Sequence, residues 1–390
     1  MVKMKPAPNA CAERNRLPAF IGLLSRSTPT PKYPRIHDSR MACCREAPRV
    51  NIGRSMTNPV AVEVLRNGRI ESVHPGAIAV CDAQGQLRLA VGDVKTPIFP
   101  RSALKPIQAL TLVETGAADA FAVTGEELAL ACASHNGEAK HIAVATDWLA
   151  RLELDARALA CGPHWSLSEP VTLAMARTGS EPSAIHNNCS GKHAGMLTTA
   201  RHVGVDVEGY EAPDHPVQIK IGETISDLTD HDLDVAGPAV DGFSAPAYAV
   251  PLCGLARAFS QLSHLNSNSD ARALASQRVT SAMFANPFLV AGTDRYCTNV
   301  IEAGEGRVLV KTGAEGMMVA ALPEIGVGVA VKIDDGARRP TETAMATIFL
   351  EIGGLAERTR NTLRKYAAAT TRNWRGQVVG MIRAASGFPS

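Results

Sequence analysis

The stretch RVLVKTGAEGMMVAALPEIGVGVAVKIDDG, residues 307–336, contains three short apolar runs separated by tight-turn residues. Short apolar runs spaced in this way predict an antiparallel meander of three strands. Near the other end of the chain, AIAVCD (77–82) and LRLAVGD (87–93) flank AQGQ, which predicts a β-hairpin. Strands at both ends of the chain indicate one antiparallel sheet built from N- and C-terminal strands.

The segment between these strands has helical patterns that are broken by proline and glycine. They cover residues 102–114, 138–153, 168–178, 192–203, 214–229, 251–262 and 270–285, and a further helix is predicted over 341–350. Terminal strands with helices packed around them predict an α+β layer fold. Neither a repeat nor a linker divides residues 56–390, so we predict a single catalytic domain there.

Composition sets limits on the partners of this chain. It has 390 residues, of which 45% are hydrophobic and 20% charged, as in ordinary globular proteins. The net charge of +2 gives no indication of a nucleic-acid partner. No apolar run approaches the roughly 20 residues that a membrane-spanning helix needs, so no membrane partner is expected.

Residues 1–55 differ from the rest of the chain. They hold 11 of the 40 basic residues but only 3 of the 38 acidic ones, which leaves the remainder with a net charge of −6. An Arg-rich, acid-poor leader is consistent with a transit peptide. We favour a disordered extension translated upstream of the true start, with MTNPVAVEVL at Met56 beginning the fold.

The nine cysteines form no Cys-x-x-Cys pair, which favours reduced thiols and a cytoplasmic protein.

RSALKP, residues 101–106, places a serine and a lysine three positions apart at the start of a predicted helix. Taken alone, Ser102 is explained as a helix N-cap and Lys105 as a solvated side chain. Two further motifs follow in order, Ser134-His135-Asn136 and Lys311-Thr312-Gly313. Ser-x-x-Lys, Ser-x-Asn and Lys-Thr-Gly form the motif set of serine β-lactamases and penicillin-binding proteins. Together they favour a nucleophile and its base, and a fold of that type.

The chemistry of this motif set is coherent. A serine needs a base to become a nucleophile, and Lys105 serves only when neutral, so its pKa must fall from about 10.4 toward 7. Burial and a second cation, Lys311, would both lower that pKa. Ser134 could then relay a proton, and Asn136 could orient a substrate carbonyl. Backbone N–H groups at the strand edge around Thr312 could bind the substrate and polarise that carbonyl.

The spacing of the motifs departs from that of β-lactamases. Between the second and third motifs lies HNNCSGKHAGM, residues 186–196, which those enzymes lack. Its His186, Cys189 and His193 have metal-like spacing, so zinc is one candidate. An anion bound at a Gly-Lys helix start and plain packing of the side chains are the alternatives.

Several long motifs carry a resemblance to a known family: FPRSALKPIQ, ACASHNGE, HNNCSGKHAGM, MFANPFLVAGTDRYCT, VKTGAEGMM and GVGVAVKIDDG. With them the sequence resembles the L-asparaginase II family of the Rhizobium etli inducible, thermolabile type, from about Val60 to near the C-terminus. That family is unrelated to the asparaginases with a threonine nucleophile. Its members are similar in fold to serine β-lactamases and glutaminases.

The resemblance implies site residues one by one. Ser102 and Lys105 match one Ser-Lys pair of the family, and Ser134 and Lys311 match the second. The family's metal-binding Cys-x-x-Lys matches Cys189 and Lys192, which lie in NCSGK.

The family's other metal-binding cysteine belongs to a DGC motif, which here is DGFSAP with Phe243 in its place. Phenylalanine cannot ligate zinc, so no cofactor is expected to be required. Cys189 and Lys192 would then shape the substrate pocket.

The implied reaction is hydrolysis of the side-chain amide of L-asparagine to L-aspartate and ammonia through an acyl-enzyme. Ser102 is the expected nucleophile, although the residues alone allow Ser134 to take that role. The alternatives are a penicillin-recognising hydrolase or esterase, and a catalytically inactive amino-acid-binding homologue. The family also implies a homodimer.

A zwitterionic substrate needs a charged anchor of each sign. Asp241 and Glu315 are candidates for its ammonium group, and Arg295 and Lys192 for its carboxylate. A solvated surface charge is the alternative for each of them.

Overall fold

A computed structural model describes residues 58–82, 84–233, 237–263 and 270–389. The predicted extension over residues 1–55 and the proposed start at Met56 lie outside the described residues. Every residue that is described belongs to one structural unit.

The strands are β1 Val60–Arg66, β2 Arg69–Asp82, β3 Leu87–Val91, β4 Pro97–Ile98, β5 Ala239–Val240, β6 Pro246–Ala247, β7 Val250–Pro251, β8 Leu309–Thr312, β9 Met317–Leu322, β10 Val327–Ile333, β11 Ala368–Arg372 and β12 Val378–Ala384. The α-helices are α1 Lys105–Gln108, α2 Leu110–Glu114, α3 Ala117–Ala120, α4 Gly125–Ala131, α5 Ala139–Arg151, α6 Glu169–Thr178, α7 Ser190–Val203, α8 Pro216–Thr229, α9 Leu252–Ser263, α10 Ala271–Ala285, α11 Pro287–Val290, α12 Tyr296–Gly304, α13 Arg338–Ile352 and α14 Glu357–Ala367. Short 3₁₀-helices cover Arg101–Leu104, Ala156–Ala158 and Ala184–His186.

The two ends of the chain meet in one antiparallel sheet. Its strand order is β11-β12-β1-β2-β10-β9-β8, and β3 pairs with β2 outside this path. The first half of the long strand β2 pairs with β1, and its second half pairs with β10 and β3. The predicted sheet, hairpin and C-terminal meander are confirmed by this pairing.

Helices cover the centre of the sheet. Helix α9 packs on β2, β9 and β10, and helix α13 packs on β1, β9, β10 and β12. Every residue of β9 and nearly every residue of β10 is buried, so both faces of these strands are covered. This mixture of helices with one antiparallel sheet confirms the predicted α+β class.

Some elements differ from the sequence predictions. The helix predicted over 102–114 is divided into the 3₁₀-helix Arg101–Leu104, α1 and α2. Pro106 has no N–H to donate and is tolerated only in a first turn, so the helix begins again beside it. Helices α4, α12 and α14 and strands β11 and β12 were not predicted. Strand β11 alternates between exposed and half-buried residues and carries little apolar pattern.

Within the part of the chain that the structure describes, no helix has both the length and the apolar character needed to cross a membrane.

Gly328 permits the close packing of α9 on β10. A Cβ atom at this position would lie 1.9 Å from the carbonyl oxygen of Ala256 and 2.4 Å from the backbone nitrogen of Ser260. We expect Gly328→Ala to lower the free energy of unfolding by at least about 2 kcal/mol, because backbone must move to admit the methyl group. Urea denaturation measures this change.

Gly125 provides the matched control. It is the first residue of α4, and a Cβ there would meet only Asn286, at 3.7 Å. Gly125→Ala should leave the free energy of unfolding unchanged or raise it by about 0.5–1 kcal/mol. Equal stabilities of the two variants would contradict the tight approach of α9 to β10.

Candidate active site

Ser134 lies between two buried lysines. Its Oγ is 3.1 Å from Lys105 Nζ and 2.9 Å from Lys311 Nζ. Lys105 is 2% exposed and Lys311 is 1% exposed. The N-cap interpretation of RSALKP, with a solvated lysine, is therefore wrong. The structure brings together one residue from each of the three sequence motifs.

Backbone carbonyls complete the surroundings of both amines. Lys105 Nζ donates to the carbonyl oxygen of Ala133 and lies 3.5 Å from that of Asn188. Lys311 Nζ donates to the carbonyl oxygen of Thr312 at 2.7 Å. These acceptors hold each Nζ in place whether the amine is neutral or charged, because a neutral amine keeps N–H donors.

Three separate elements position this cluster. Lys105 begins α1, Ser134 follows α4, and Lys311 lies in β8. The Ser134 segment is fixed by backbone hydrogen bonds from its N–H to Val290 and from the Asn136 N–H to Ala291. Gly313 lets β8 approach the start of the Ser102 segment, since a Cβ there would lie 2.4 Å from the carbonyl oxygen of Pro100.

Burial changes the proton affinity of both lysines. Loss of hydration, together with the smaller effect of the neighbouring Lys105, lowers the pKa of Lys311 to about 7. Burial also lowers the pKa of Lys105, with Lys192 acting in the same direction. Two ammonium groups on one hydroxyl oxygen repel each other, so near neutral pH one of the amines is neutral and can accept a proton.

Ser102 lies in a cleft beside this cluster. It is half-buried in the 3₁₀-helix Arg101–Leu104. With Lys105, Lys192, Asp241 and Tyr248 it lines a small cleft, whose empty space of about 300 Å³ includes open solvent. The predicted contact between Ser102 and Lys105 is not formed. Lys105 instead reaches Ser134, while the Ser102 hydroxyl makes no hydrogen bond to any residue that the structure describes.

Lys192 and Asp241 form an ion pair on the same cleft. Lys192 Nζ lies 2.8 Å from Asp241 Oδ2, and the two side chains are 3% and 14% exposed. Asp241 Oδ1 accepts hydrogen bonds from the backbone N–H groups of Phe243 and Ala245. The two predicted anchors of opposite charge therefore bind each other.

Asn136 and Arg295 lie behind Ser134. The Asn136 amide donates to Glu138 and to the carbonyl oxygen of Thr293, and its Oδ1 accepts from Arg295 at 2.6 Å. Arg295 also lies 3.5 Å from the carbonyl oxygen of Ser134. Burial lowers the pKa of Arg295. Both predicted substrate-binding side chains are thus engaged in holding the Ser134 segment.

The remaining predicted residues lie at the end of β8. The N–H of Thr312 donates to Cys297 Sγ at 3.3 Å, and its hydroxyl contacts the same sulfur at 3.0 Å. Glu315 is exposed in the turn between β8 and β9, and Lys332 donates to its backbone oxygen. The structure does not bring the Glu315 carboxylate into the cleft that Ser102 lines.

The chain matches a known protein family over the region that contains this site. A sequence model of the L-asparaginase II family matches residues 62–384. The chain belongs to the L-asparaginase II family. The Rhizobium etli type stays a prediction, and no curated protein sequence matches the chain.

Solved structures of low sequence identity are also similar to this member of the L-asparaginase II family. Mglu in its native form has 16% identity and a TM-score of 0.39, over 74% of this chain and 63% of that chain. Mglu in its tris and glutamate form has 16% identity and a TM-score of 0.40, over 79% and 62%. A β-lactamase from Mycobacterium bovis has 12% identity and a TM-score of 0.35, over 75% and 94%. The chain thus spans less than two thirds of Mglu.

The zinc ligands implied by the asparaginase family do not fit their surroundings here. Lys192 is paired with Asp241, and the Cys189 thiol donates to Asn188 Oδ1 at 3.0 Å. Phe243 stands where the third ligand would be, and its ring lies near that of His164. Among the described residues, no group of three or more His, Cys, Asp or Glu side chains could hold a metal.

The predicted trio of His186, Cys189 and His193 is not assembled for a metal either. His193 is buried and its Nδ1 lies 2.6 Å from the Tyr210 hydroxyl, while His186 Nδ1 accepts from the Ser183 N–H. Burial lowers the pKa of both histidines. Packing is therefore the better explanation of these histidines.

Sequence reasoning assigned no role to two residues that support the site. Asn188 contributes its carbonyl oxygen to Lys105 and also accepts from the N–H of His135 at 3.3 Å. It is the first residue of NCSGK, so the motif contained it. His135 is fully buried and stays neutral, because burial lowers its pKa and its Nδ1 accepts from the Gly137 N–H. It is a packing residue rather than a base.

The buried Lys192–Asp241 pair generates a stability prediction. Asp241→Asn leaves the buried ammonium group without its counter-charge, so we expect a loss of about 3–5 kcal/mol in the free energy of unfolding. Chemical denaturation at neutral pH measures it. As a control, Glu305→Gln breaks an ion pair with Arg358 whose side chains are 56% and 60% exposed, and should cost less than about 1 kcal/mol. Similar losses in both variants would contradict this account.

Proposed function

We propose that the protein is an L-asparaginase, which hydrolyses the side-chain amide of L-asparagine to L-aspartate and ammonia. The observation that carries this proposal is the buried cluster of Lys105, Ser134 and Lys311 beside the Ser102 cleft. Such a cluster can take a proton from a nucleophile and return it to a leaving group. Family membership supports an amide as the substrate.

We assign the nucleophile to Ser102 rather than to Ser134. An acylated serine commonly uses its own backbone N–H to stabilise the oxyanion of the tetrahedral intermediate. The N–H of Ser134 already donates to the carbonyl oxygen of Val290 at 3.1 Å. The N–H of Ser102 has no acceptor among the residues described, and the N–H of Ala314, after β8, is equally free to serve as a second donor.

The proposed reaction has two steps. Ser102 Oγ attacks the amide carbon, and its proton passes into the cluster of Lys105, Ser134 and Lys311, where the neutral amine of Lys311 accepts it. The C–N bond then breaks, and Ser134 with Lys311 delivers a proton to the departing nitrogen, which leaves as ammonia. Water attacks the resulting ester and gives a proton to the same cluster. The C–O bond to Ser102 then breaks, the cluster returns that proton to Ser102 Oγ, and L-aspartate leaves.

The proposed substrate class, metal requirement, oligomeric state and location are those expected from the family that the sequence resembles. A narrow cleft and a charged rim favour a small amino-acid amide as the substrate. The reaction needs no metal, and the ligands described above do not favour one. A homodimer and a cytoplasmic location stay predictions.

The pKa of Lys311 predicts how activity depends on pH. The amine accepts a proton only when neutral, and its neutral fraction grows as the pH rises through about 7. We therefore expect kcat/KM for L-asparagine to rise between about pH 6 and 8 and then to level off. Steady-state assays of ammonia release measure this profile.

Lys311→Arg keeps the positive charge but cannot lose its proton, so it should have little activity at any pH in that range. A wild-type profile that is flat or falls between pH 6 and 8 would contradict the role of Lys311.

The assignment of Ser102 is tested by locating the acyl group. Acid quenching during turnover of L-asparagine, followed by peptide mapping, should place an aspartyl group on the peptide that contains Ser102. Ser102→Ala should lower kcat by at least about 10³-fold and form no adduct. Ser134→Ala should slow turnover and still carry the aspartyl group on Ser102, because it loses the relay and not the nucleophile.

An aspartyl group on Ser134 would overturn the assignment while leaving the asparaginase activity intact. Turnover of a chromogenic cephalosporin without ammonia release from L-asparagine would indicate a penicillin-recognising hydrolase instead. Thermal stabilisation by L-asparagine or L-aspartate without any ammonia release would indicate a catalytically inactive amino-acid-binding homologue.

A further inference from the structure

The cations first considered for the substrate carboxylate are already engaged. Lys192 forms its ion pair with Asp241 at 2.8 Å, and the Arg295 guanidinium donates to Asn136 at 2.6 Å. Using either one for the substrate would break a buried contact and leave a polar partner unsatisfied, which costs about 1–3 kcal/mol or more. A different cation is therefore needed to hold the α-carboxylate.

Arg101 has the required freedom. It lines the Ser102 cleft, and its Nη2 atom lies 3.3 Å from the position that a Cβ on Gly242 would take. The guanidinium thus lies over the backbone next to Asp241. It makes neither an ion pair nor a hydrogen bond to any residue in the described ranges, although a guanidinium carries five N–H donors.

The backbone at Arg101 is also unusual. Its φ of 54° is in the left-handed region, which a long side chain rarely adopts. The residue follows Pro100 and immediately precedes Ser102. Its backbone conformation therefore sets the direction in which the Arg101 side chain leaves the backbone beside the proposed nucleophile. Strained backbone of this kind persists where the surroundings hold it, and it clusters at ligand-binding and catalytic positions.

We propose that Arg101 binds the α-carboxylate of the amino-acid substrate, a role that rests on the asparaginase function proposed above. A guanidinium pairs with a carboxylate through two parallel hydrogen bonds, which fixes direction as well as position. Because Arg101 and Ser102 are adjacent, the pair fixes the separation between the carboxylate and the amide carbon that Ser102 attacks. Arg101 is thereby a substrate-positioning residue that selects amino-acid amides over simple amides.

The test compares two substrates that differ only at the α-carboxylate. L-asparagine α-methyl ester keeps the side-chain amide and the ammonium group but lacks the carboxylate charge. Arg101→Gln should lower kcat/KM for L-asparagine roughly 10- to 100-fold, the loss typical of hydrogen bonds to a charged group, and leave that for the ester nearly unchanged. Arg101→Lys should recover part of the lost kcat/KM, because lysine restores the positive charge but not the two parallel N–H donors of a guanidinium.

Arg177→Gln is the matched control, since Arg177 is an exposed arginine of α6 without an ion pair in the described structure. It should change neither substrate's kcat/KM. Equal losses for L-asparagine and its ester in Arg101→Gln would overturn the proposal and indicate a structural role for Arg101. An Arg101→Gln variant that keeps the wild-type kcat/KM for L-asparagine would overturn it as well.

A binding experiment separates this proposal from the asparaginase activity. Calorimetry on the full chain compares L-aspartate with β-alanine, which lacks the α-carboxylate. We expect the wild type to bind L-aspartate more tightly than β-alanine. Arg101→Gln should reduce the ratio of the two dissociation constants roughly 10-fold or more. If ammonia release fails but this difference holds, the proposed reaction is wrong and Arg101 still binds the carboxylate. If neither compound binds, or Arg101→Gln keeps the difference, the role of Arg101 is refuted.

Discussion

Two lysine amines share one serine oxygen in the interior of this protein, and much of the surrounding structure serves that contact. Lys105 and Lys311 both reach Ser134 Oγ while almost fully buried. Placing two ammonium groups there would be costly, because each loses its hydration and each repels the other. Loss of a proton relieves the cost, and backbone carbonyls satisfy the remaining N–H donors. The fold thus holds a base in its neutral form by denying it water.

This contact requires distant segments to meet accurately. Lys105 and Ser134 are separated by 29 residues, and Ser134 and Lys311 by 177. The covered sheet supplies the rigid support: β8 continues into buried β9 and β10, which helices α9 and α13 hold. Gly313 then lets the Ser102 segment lie directly against the end of β8. Packing at the centre of the sheet therefore sets the distances at its edge.

The sequence predicted the parts of this arrangement that have a local pattern. Apolar runs with turn residues marked the meander and the hairpin, and three ordered motifs marked the residues of the cluster. It did not predict β11, an edge strand with little apolar pattern, or its neighbour β12, whose residues are mostly half-buried or exposed. It also paired Lys105 with Ser102, because residues three apart share a helix face. The carbonyl of Ala133 and the hydroxyl of Ser134 hold the amine instead, and such tertiary acceptors have no local signature.

The charges around the Ser102 cleft suit the attack of a serine on an amide carbonyl. Asp241 is the only carboxylate among the described residues that line the Ser102 cleft, and Lys192 with two backbone N–H groups already neutralises it. Arg101 and the two lysines on Ser134 add positive charge or proton donors on the remaining sides. Attack on an amide carbonyl creates a negative oxygen, and fixed donors in a site with little water stabilise that charge without reorganising. Phe243 stands where the resemblance implies a metal-ligating cysteine, and the Lys192–Asp241 pair is complete without an ion.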